Sequence, residues 1–220
     1  MPVGKVLNRA KQKFTINNMD QTAKTPLQFQ DWFSSDAKLN QLYPQPIRSK
    51  ARMHWSPLHI IKKATNFLAS SDTIKLLDIG SGVGTFCLAG AFYKPSVTFF
   101  GVEQRKKLVA HAKAAKEKLG FQNVEFLHKN FTQLDLKEFD HFYFYNSFFE
   151  NLEGSDKIDN EIVYSSELYN YYSIYLYNQL ERMPRGTKVA TYCSWGDEIP
   201  PSYRLTETHF NNLLKFWIKM

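Results

Sequence analysis

The sequence predicts a doubly wound α/β fold. It comprises a seven-stranded, mainly parallel sheet with an antiparallel last strand and helices on both faces, plus a mainly helical N-terminal extension. Three observations predict it. From residue 74 onward, apolar strand-like runs alternate with helical patterns, as in parallel strands joined by crossover helices. The run Leu76-Leu77-Asp78-Ile79-Gly80-Ser81-Gly82-Val83-Gly84-Thr85-Phe86 joins one such strand to a helix through three alternating glycines. A turn of that kind reaches positive φ and can lay bare backbone against a ligand. The 220 residues, 43% hydrophobic and 22% charged, are enough for one domain with a full core.

The elements follow in order. Residues 1–45 are polar and irregular, with short helices expected at 27–33 and 35–42 before Pro44 and Pro46 break the pattern. Ser56-Pro57 reads as an N-cap followed by proline at the first helical position, and Leu58, Ile61, Thr65 and Leu68 follow at helical spacing. A strand over 74–79, a helix over 84–93 and a strand over 97–103 come next. The helix over 105–119 places Leu108, Ala112, Ala115 and Leu119 on one stripe, and Gly120 closes it. Strands follow at 124–128 and 140–145. A long helix is expected over 158–183, with Ile162, Tyr169, Tyr172, Leu176, Leu180 and Met183 at core spacing, stopped by Pro184-Arg185-Gly186. The fifth strand spans 187–194, and 203–210 with 213–218 flank Asn211-Asn212 as a hairpin. Between them Pro200-Pro201 rules out a helix, so a loop is expected. The organisation is a basic extension, 1–55, suited to a substrate lid, and a main domain, 56–220.

The net charge of +7 is uneven. Residues 1–70 carry eleven Lys/Arg against three acids, whereas 71–220 carry 17 against 18. A basic N-terminal segment attracts nucleic acid or an acidic protein surface; the competing reading is a solvated arm. Cys87 and Cys193 suggest no disulfide framework, and the five-residue interval between His54 and His59 is not a helical zinc pair, so no metal is expected. No apolar run approaches the ~20 residues that cross a bilayer. Residues 1–19 lack acids but hold one arginine and no serine, against a transit peptide. The expectation is a cytoplasmic protein without membrane insertion.

Asp78 stands at a strand end, where α/β sheets present their ligands, and Val97–Glu103 ends a second apolar strand in another acid. Glu103 follows Gly84 by 19 residues, close to the ~20 that separate a glycine loop from its ribose-binding carboxylate. A dinucleotide fingerprint, G-x-G-x-x-G, would need glycine where Cys87 stands. That disfavours a nicotinamide-dependent oxidoreductase. What stands here is D-x-G-x-G-x-G, and with Glu103 it resembles the class I (seven-strand, Rossmann-like) S-adenosylmethionine-dependent methyltransferases.

That resemblance, over roughly residues 55–220, implies S-adenosylmethionine as cofactor and a loop lying along its methionyl part. The cofactor residues it implies are Asp78, Gly80, Ser81, Gly82, Gly84 and Glu103. At the end of the third strand the family places an acid for the adenine amine; here Asn130 takes that place with Phe131 beside it. After the fourth strand, Asn146 and Phe149 match the Asn and aromatic residues that address an amine acceptor, with Ser147 and Phe148 replacing the two prolines of the Asn-Pro-Pro-Phe form. The segment also looks like the Asn-rich stretch of seven-strand lysine methyltransferases. The expected reaction is methyl transfer to a nitrogen acceptor, a protein lysine or other macromolecular amine ahead of a small molecule. The alternatives are an RNA or DNA base methyltransferase and a non-catalytic nucleic-acid-binding module. Tyr145, Glu150 and His54 are candidates to take a proton from the acceptor.

Overall fold

The computed structural model describes residues 30–71 and 73–220. Its strands are β1 (Lys75–Ile79), β2 (Thr98–Glu103), β3 (Val124–His128), β4 (His141–Phe144), β5 (Lys188–Tyr192), β6 (Tyr203–His209) and β7 (Leu214–Lys219). They form one sheet in the order β3-β2-β1-β4-β5-β7-β6. β7 pairs antiparallel with both β5 and β6, and the other pairings are parallel. The order reverses at β1, whose Ile79 is in register with Val102 of β2 and Phe144 of β4. The carboxyl ends of three strands therefore open side by side, the crevice in which such sheets bind ligands.

Helices cover both faces because the strands bury both. Leu76 and Tyr143 belong to one core, Leu77, Ile79, Phe142 and Phe144 to the other, so side chains of β1 and β4 alternate between faces. On the first face lie α4 (Leu58–Leu68), α5 (Thr85–Tyr93) and α6 (Lys106–Leu119). The stripe Leu108, Ala112, Ala115 and Leu119 is buried as its spacing predicts, and Gly120 caps α6 in the left-handed conformation. α7 (Ser166–Glu181) covers the second face with Tyr172, Leu176 and Leu180.

The shorter helices α1 (Asp36–Asn40), α2 (Gln45–Arg48) and α3 (Ala51–His54) precede this layer. Phe33, Leu39, Tyr43 and Trp55 are buried in the first core, so the described part of the extension continues that core. The first residues of the helix expected at 27–33, and residue 72, lie outside the described residues.

Two expectations are corrected. α4 begins at Leu58, with Pro57 as its cap, and the Leu58 amide donates to Asp36 Oδ1 at 2.7 Å. Ser56 is not the cap; its hydroxyl shares a 2.7 Å hydrogen bond with buried Tyr143 Oη. The long helix starts at Ser166 rather than near 158, because Ser165 Oγ accepts from the Leu168 amide and sets the N-cap there. Upstream, Asp159 Oδ1 accepts from the Glu161 amide, a local turn that competes with helix.

Candidate cofactor and acceptor site

A cavity of about 310 Å³ opens at the carboxyl ends of β1, β2 and β4. The glycine turn forms its floor. The amides of Gly80 and Ser81 both donate to Val102 O (3.0 Å each), that of Gly84 to Ser81 O (2.8 Å) and that of Gly82 to Glu103 Oε2 (3.2 Å). With these four donors turned inward, the loop has carbonyl oxygens and bare Cα surface to offer a ligand. A pyrophosphate needs free amides at such a turn, whereas a cationic amine needs acceptors.

The glycines have different work. Gly82 (φ +53°) lines the cavity, and a Cβ there would meet nothing within 4 Å. Gly84 (φ +83°) faces inward, where a Cβ would stand 2.3 Å from the Phe126 ring. The space over Gly82 is a cradle that a side chain would fill, and the acids Glu103, Glu150 and Asp156 also line the cavity. The lining mixes these acids with the donors Arg105 and Lys129, which fits S-adenosylmethionine, a molecule that carries a sulfonium, an ammonium and a carboxylate.

The other expected residues divide. Gly80, Gly82, Glu103, Asn130, Phe131, Asn146 and Phe149 all line the cavity; Asp78, Ser81 and Gly84 do not. Asp78 and Ser81 are buried, and Gly84 packs against Phe126. Asp78 is buried beside Cys87, whose Sγ approaches Oδ2 at 3.8 Å. Burial and then the neighbouring Glu103 push its carboxyl up to about 8.

Glu103 is 4% exposed. Its Oε1 accepts from the Arg105 amide at 2.8 Å, and burial raises its carboxyl above the usual range against the pull of Arg105. The Asn130 role is corrected in part. Its Oδ1, expected to receive the adenine amine, accepts from the Thr132 amide (3.1 Å) and hydroxyl (3.0 Å), while Nδ2 donates to Tyr172 Oη (2.8 Å). An asparagine opening a turn satisfies that turn's own donors first. Phe131 stacks on Phe148 with centroids 5.1 Å apart.

At the end of β4 the backbone of Asn146 is left-handed (φ +38°), a conformation asparagine tolerates well. Its carbonyl accepts from the Phe149 amide, and Ser147 Oγ donates to Ile79 O at 2.7 Å, which ties this turn to the glycine strand. Phe149 (37% exposed) meets Trp195 (67% exposed) edge to face, centroids 6.0 Å apart. The main chain around Trp195 is held while its ring stands in solvent. Lys215 Nζ donates to the carbonyls of Ser194 and Trp195 (3.0 and 3.1 Å), and Ser194 Oγ pairs with buried Glu198.

The candidate proton acceptors are mostly engaged. Tyr145 Oη donates to Met53 O (3.0 Å), and burial raises its pKa. Glu150 is paired with Arg105. His54, 3.7 Å from Glu150, has its pKa lowered chiefly by burial and then by Lys50 and Arg105, so its imidazole is neutral at pH 7. Among the described residues no group of three or more His, Cys, Asp or Glu is placed to hold a metal, and no helix is long and apolar enough to cross a membrane. Sequence reasoning missed Arg105, Tyr172 and Trp195. The position of Arg105 two residues after Glu103 was the available signal for the first.

A protein-family model described as "Methyltransferase domain" matches residues 70–182. The chain is similar to tRNA (guanine-N(7)-)-methyltransferases of Synechococcus sp. (strain JA-3-3Ab), 50% identical over 54 residues, and of Microcystis aeruginosa (strain NIES-843 / IAM M-2473), 41% identical over 54 residues. The shared stretch is 24% of this chain and 23% and 26% of theirs, so the chain spans about a quarter of the length of the curated relatives it matches. Among solved structures, an RNA methyltransferase from Salinibacter ruber in complex with S-adenosyl-L-homocysteine is similar at TM-score 0.51 and 18% identity, over 74% of this chain and 91% of that one. TrmN from Thermus thermophilus is similar at 0.53 and 13%, over 79% and 52%. At these identities the likeness is one of fold. With strand order, glycine turn and a family match over half its length in agreement, the chain belongs to the class I S-adenosylmethionine-dependent methyltransferases.

Proposed function

We propose that the protein transfers a methyl group from S-adenosylmethionine to a ring nitrogen of a nucleic-acid base, with RNA as the carrier. The observation that carries this reading is Phe149, which lines the cavity with Asn146 and meets the exposed ring of Trp195 at 86° just outside that lining. Exposed aromatic rings on an anchored backbone suit a planar base, which stacks without regard to sequence. The names of the tRNA and RNA methyltransferases to which the chain is similar support the same class of acceptor. The basic residues of 1–70 would draw a phosphate backbone toward the site.

The bound cofactor supplies an electrophilic methyl on a sulfonium. This chain's residues do the rest. The carbonyls of the glycine turn would accept from the cofactor's ammonium, and Glu103 would accept from a ribose hydroxyl. The carboxamide of Asn146 makes no hydrogen bond to another described residue and is left to orient the base; Phe149 and Trp195 hold its plane and exclude water. A pyridine-type ring nitrogen offers its lone pair without losing a proton. That agrees with a site in which Tyr145 and Glu150 are already engaged.

A second reading, a protein lysine as acceptor, is favoured by neutral His54 beside the acidic wall of Glu150 and Asp156. Incubation with radiolabelled S-adenosylmethionine, total RNA and cell protein separates the two. Nuclease-sensitive label supports the base reading. Label released only by protease replaces it with the lysine reading, and no label in either fraction rejects both.

A further inference from the structure

We propose that Arg105 is the positioning residue of the cofactor's ribose: its guanidinium locks Glu103 and the cavity wall formed by residues 150–164 into one unit, fixing the carboxylate's remaining lone pair against the ribose 2′-hydroxyl. The inference rests on the reading of this cavity as the S-adenosylmethionine site and deepens it.

Arg105 is 7% exposed, and three acids converge on it. On the cofactor side its amide and Nη1 both reach Glu103 Oε1, at 2.8 and 3.4 Å. On the other side Nη2 bonds Glu150 and, at 2.7 Å, Tyr164 Oη, while Nε reaches Asp159 Oδ1 at 3.2 Å. Tyr164 Oη in turn donates to Asp159 O at 2.8 Å, closing the ring of contacts. Asp156, Ile158, Ile162 and Tyr164 of this segment line the cavity, so the guanidinium joins the carboxylate to the wall facing it.

Two physical points make this more than a structural ion pair. Apolar packing would serve stability as well as a buried arginine with three carboxylates, because desolvation consumes most of the Coulomb gain. And only a planar fork with five donors can reach partners on three sides at once; a lysine in its place keeps the charge but not the geometry. On the Glu103 carboxylate, Arg105 fills Oε1 and Gly82 takes one site of Oε2. The remaining lone pair of Oε2 then points in a direction set by protein rather than by solvent. Hydrogen bonds to a charged group held in that way discriminate strongly against a missing hydroxyl.

The test is calorimetric binding of S-adenosylhomocysteine and of its 2′-deoxy analogue, with thermal melting of the unliganded protein alongside. Wild type should prefer the ribose form by about tenfold or more, the size of one hydrogen bond to a charged group. In Arg105→Lys the preference should fall to about threefold or less, beyond any general loss of affinity. Equal weakening of both ligands, with the wild-type preference kept, overturns the Arg105 proposal and leaves the cofactor reading intact. A wild-type preference near one overturns the ribose role of Glu103 and the proposal with it; absence of binding by either ligand overturns the cofactor reading. Should Arg105→Lys not fold, Tyr164→Phe removes one outer anchor while sparing the contact to Glu103. It should lower the preference to an intermediate value, and an unchanged preference there overturns the proposal.

Discussion

Asp78 is buried with no cation against it among the described residues, and burial, then Glu103, pushes its carboxyl up to about 8 from the usual value of about 4. It takes up a proton on folding, so its share of stability is fully present below pH 4 and is lost as pH rises through 8. Replacing it by the neutral isostere, Asp78→Asn, should flatten the fall in melting temperature between pH 5 and 8; a slope equal to wild type would show that Asp78 does not titrate there. On the proposed reading, Asn146→Ala, which removes a carboxamide lining the cavity, should lower kcat by about 10- to 100-fold with little change in cofactor affinity, since orientation at the reacting centre acts on the rate. A loss of cofactor binding instead would place Asn146 on the other side of the site. Glu103 and Asn146 are legible in the sequence because strand ends and glycine intervals fix where they must stand. Asn130 is less so. Its position is legible, but the hydroxyl and amide of Thr132 compete for its oxygen, and that competition is a local matter that spacing does not reveal.

Among the elements, the glycine turn separates two roles within three residues. Gly82→Ala meets open space and a left-handed backbone, at a cost of about 1 kcal/mol in stability, while filling the cofactor cradle. Gly84→Ala adds a clash with Phe126 to the same backbone strain and should cost about 3 kcal/mol. Denaturant melts with cofactor titrations should therefore show G82A nearly stable but weak in binding, and G84A chiefly destabilised. The reverse ranking would contradict the placement of the two residues. The strands were readable because β1 and β4 send alternate apolar side chains into two cores. The start of α7 was not. Ile158 and Ile162 are four apart, as in a helix, yet they face the cavity from an irregular segment, and both use the same apolar character to cover the site. The loop at 196–202 was readable from Pro200-Pro201, although β5 ends at Tyr192 and not at 194 as expected; the display of Trp195 depends on Lys215 reaching across from β7, a contact between residues 20 apart in sequence.

At the scale of the molecule, the charge is divided between a basic N-terminal third and a nearly neutral remainder, three of whose acids, Glu103, Glu150 and Asp156, line the cavity. Deleting residues 1–29, which carry five Lys/Arg against one acid, should weaken RNA binding and make its logarithmic salt dependence shallower, with cofactor affinity unchanged. Binding with the wild-type salt slope would remove the extension from the interface. The basic bias was plain in the sequence. That Tyr43 Oη would reach 40 residues onward to Val83 O, binding this segment to the glycine turn at 2.9 Å, was not, because such a contact has no local pattern. The sheet order has a further consequence, for the birth of the chain. β7, the latest strand in sequence, lies between β5 and β6 instead of at an edge. During synthesis β5 has no neighbour on that side, and β6 no place in the sheet, until residues 214–219 emerge. β1 to β4, which border the cavity, can pair beforehand, but the loop that presents Trp195 acquires its Lys215 anchor only after residues 214–219 have emerged.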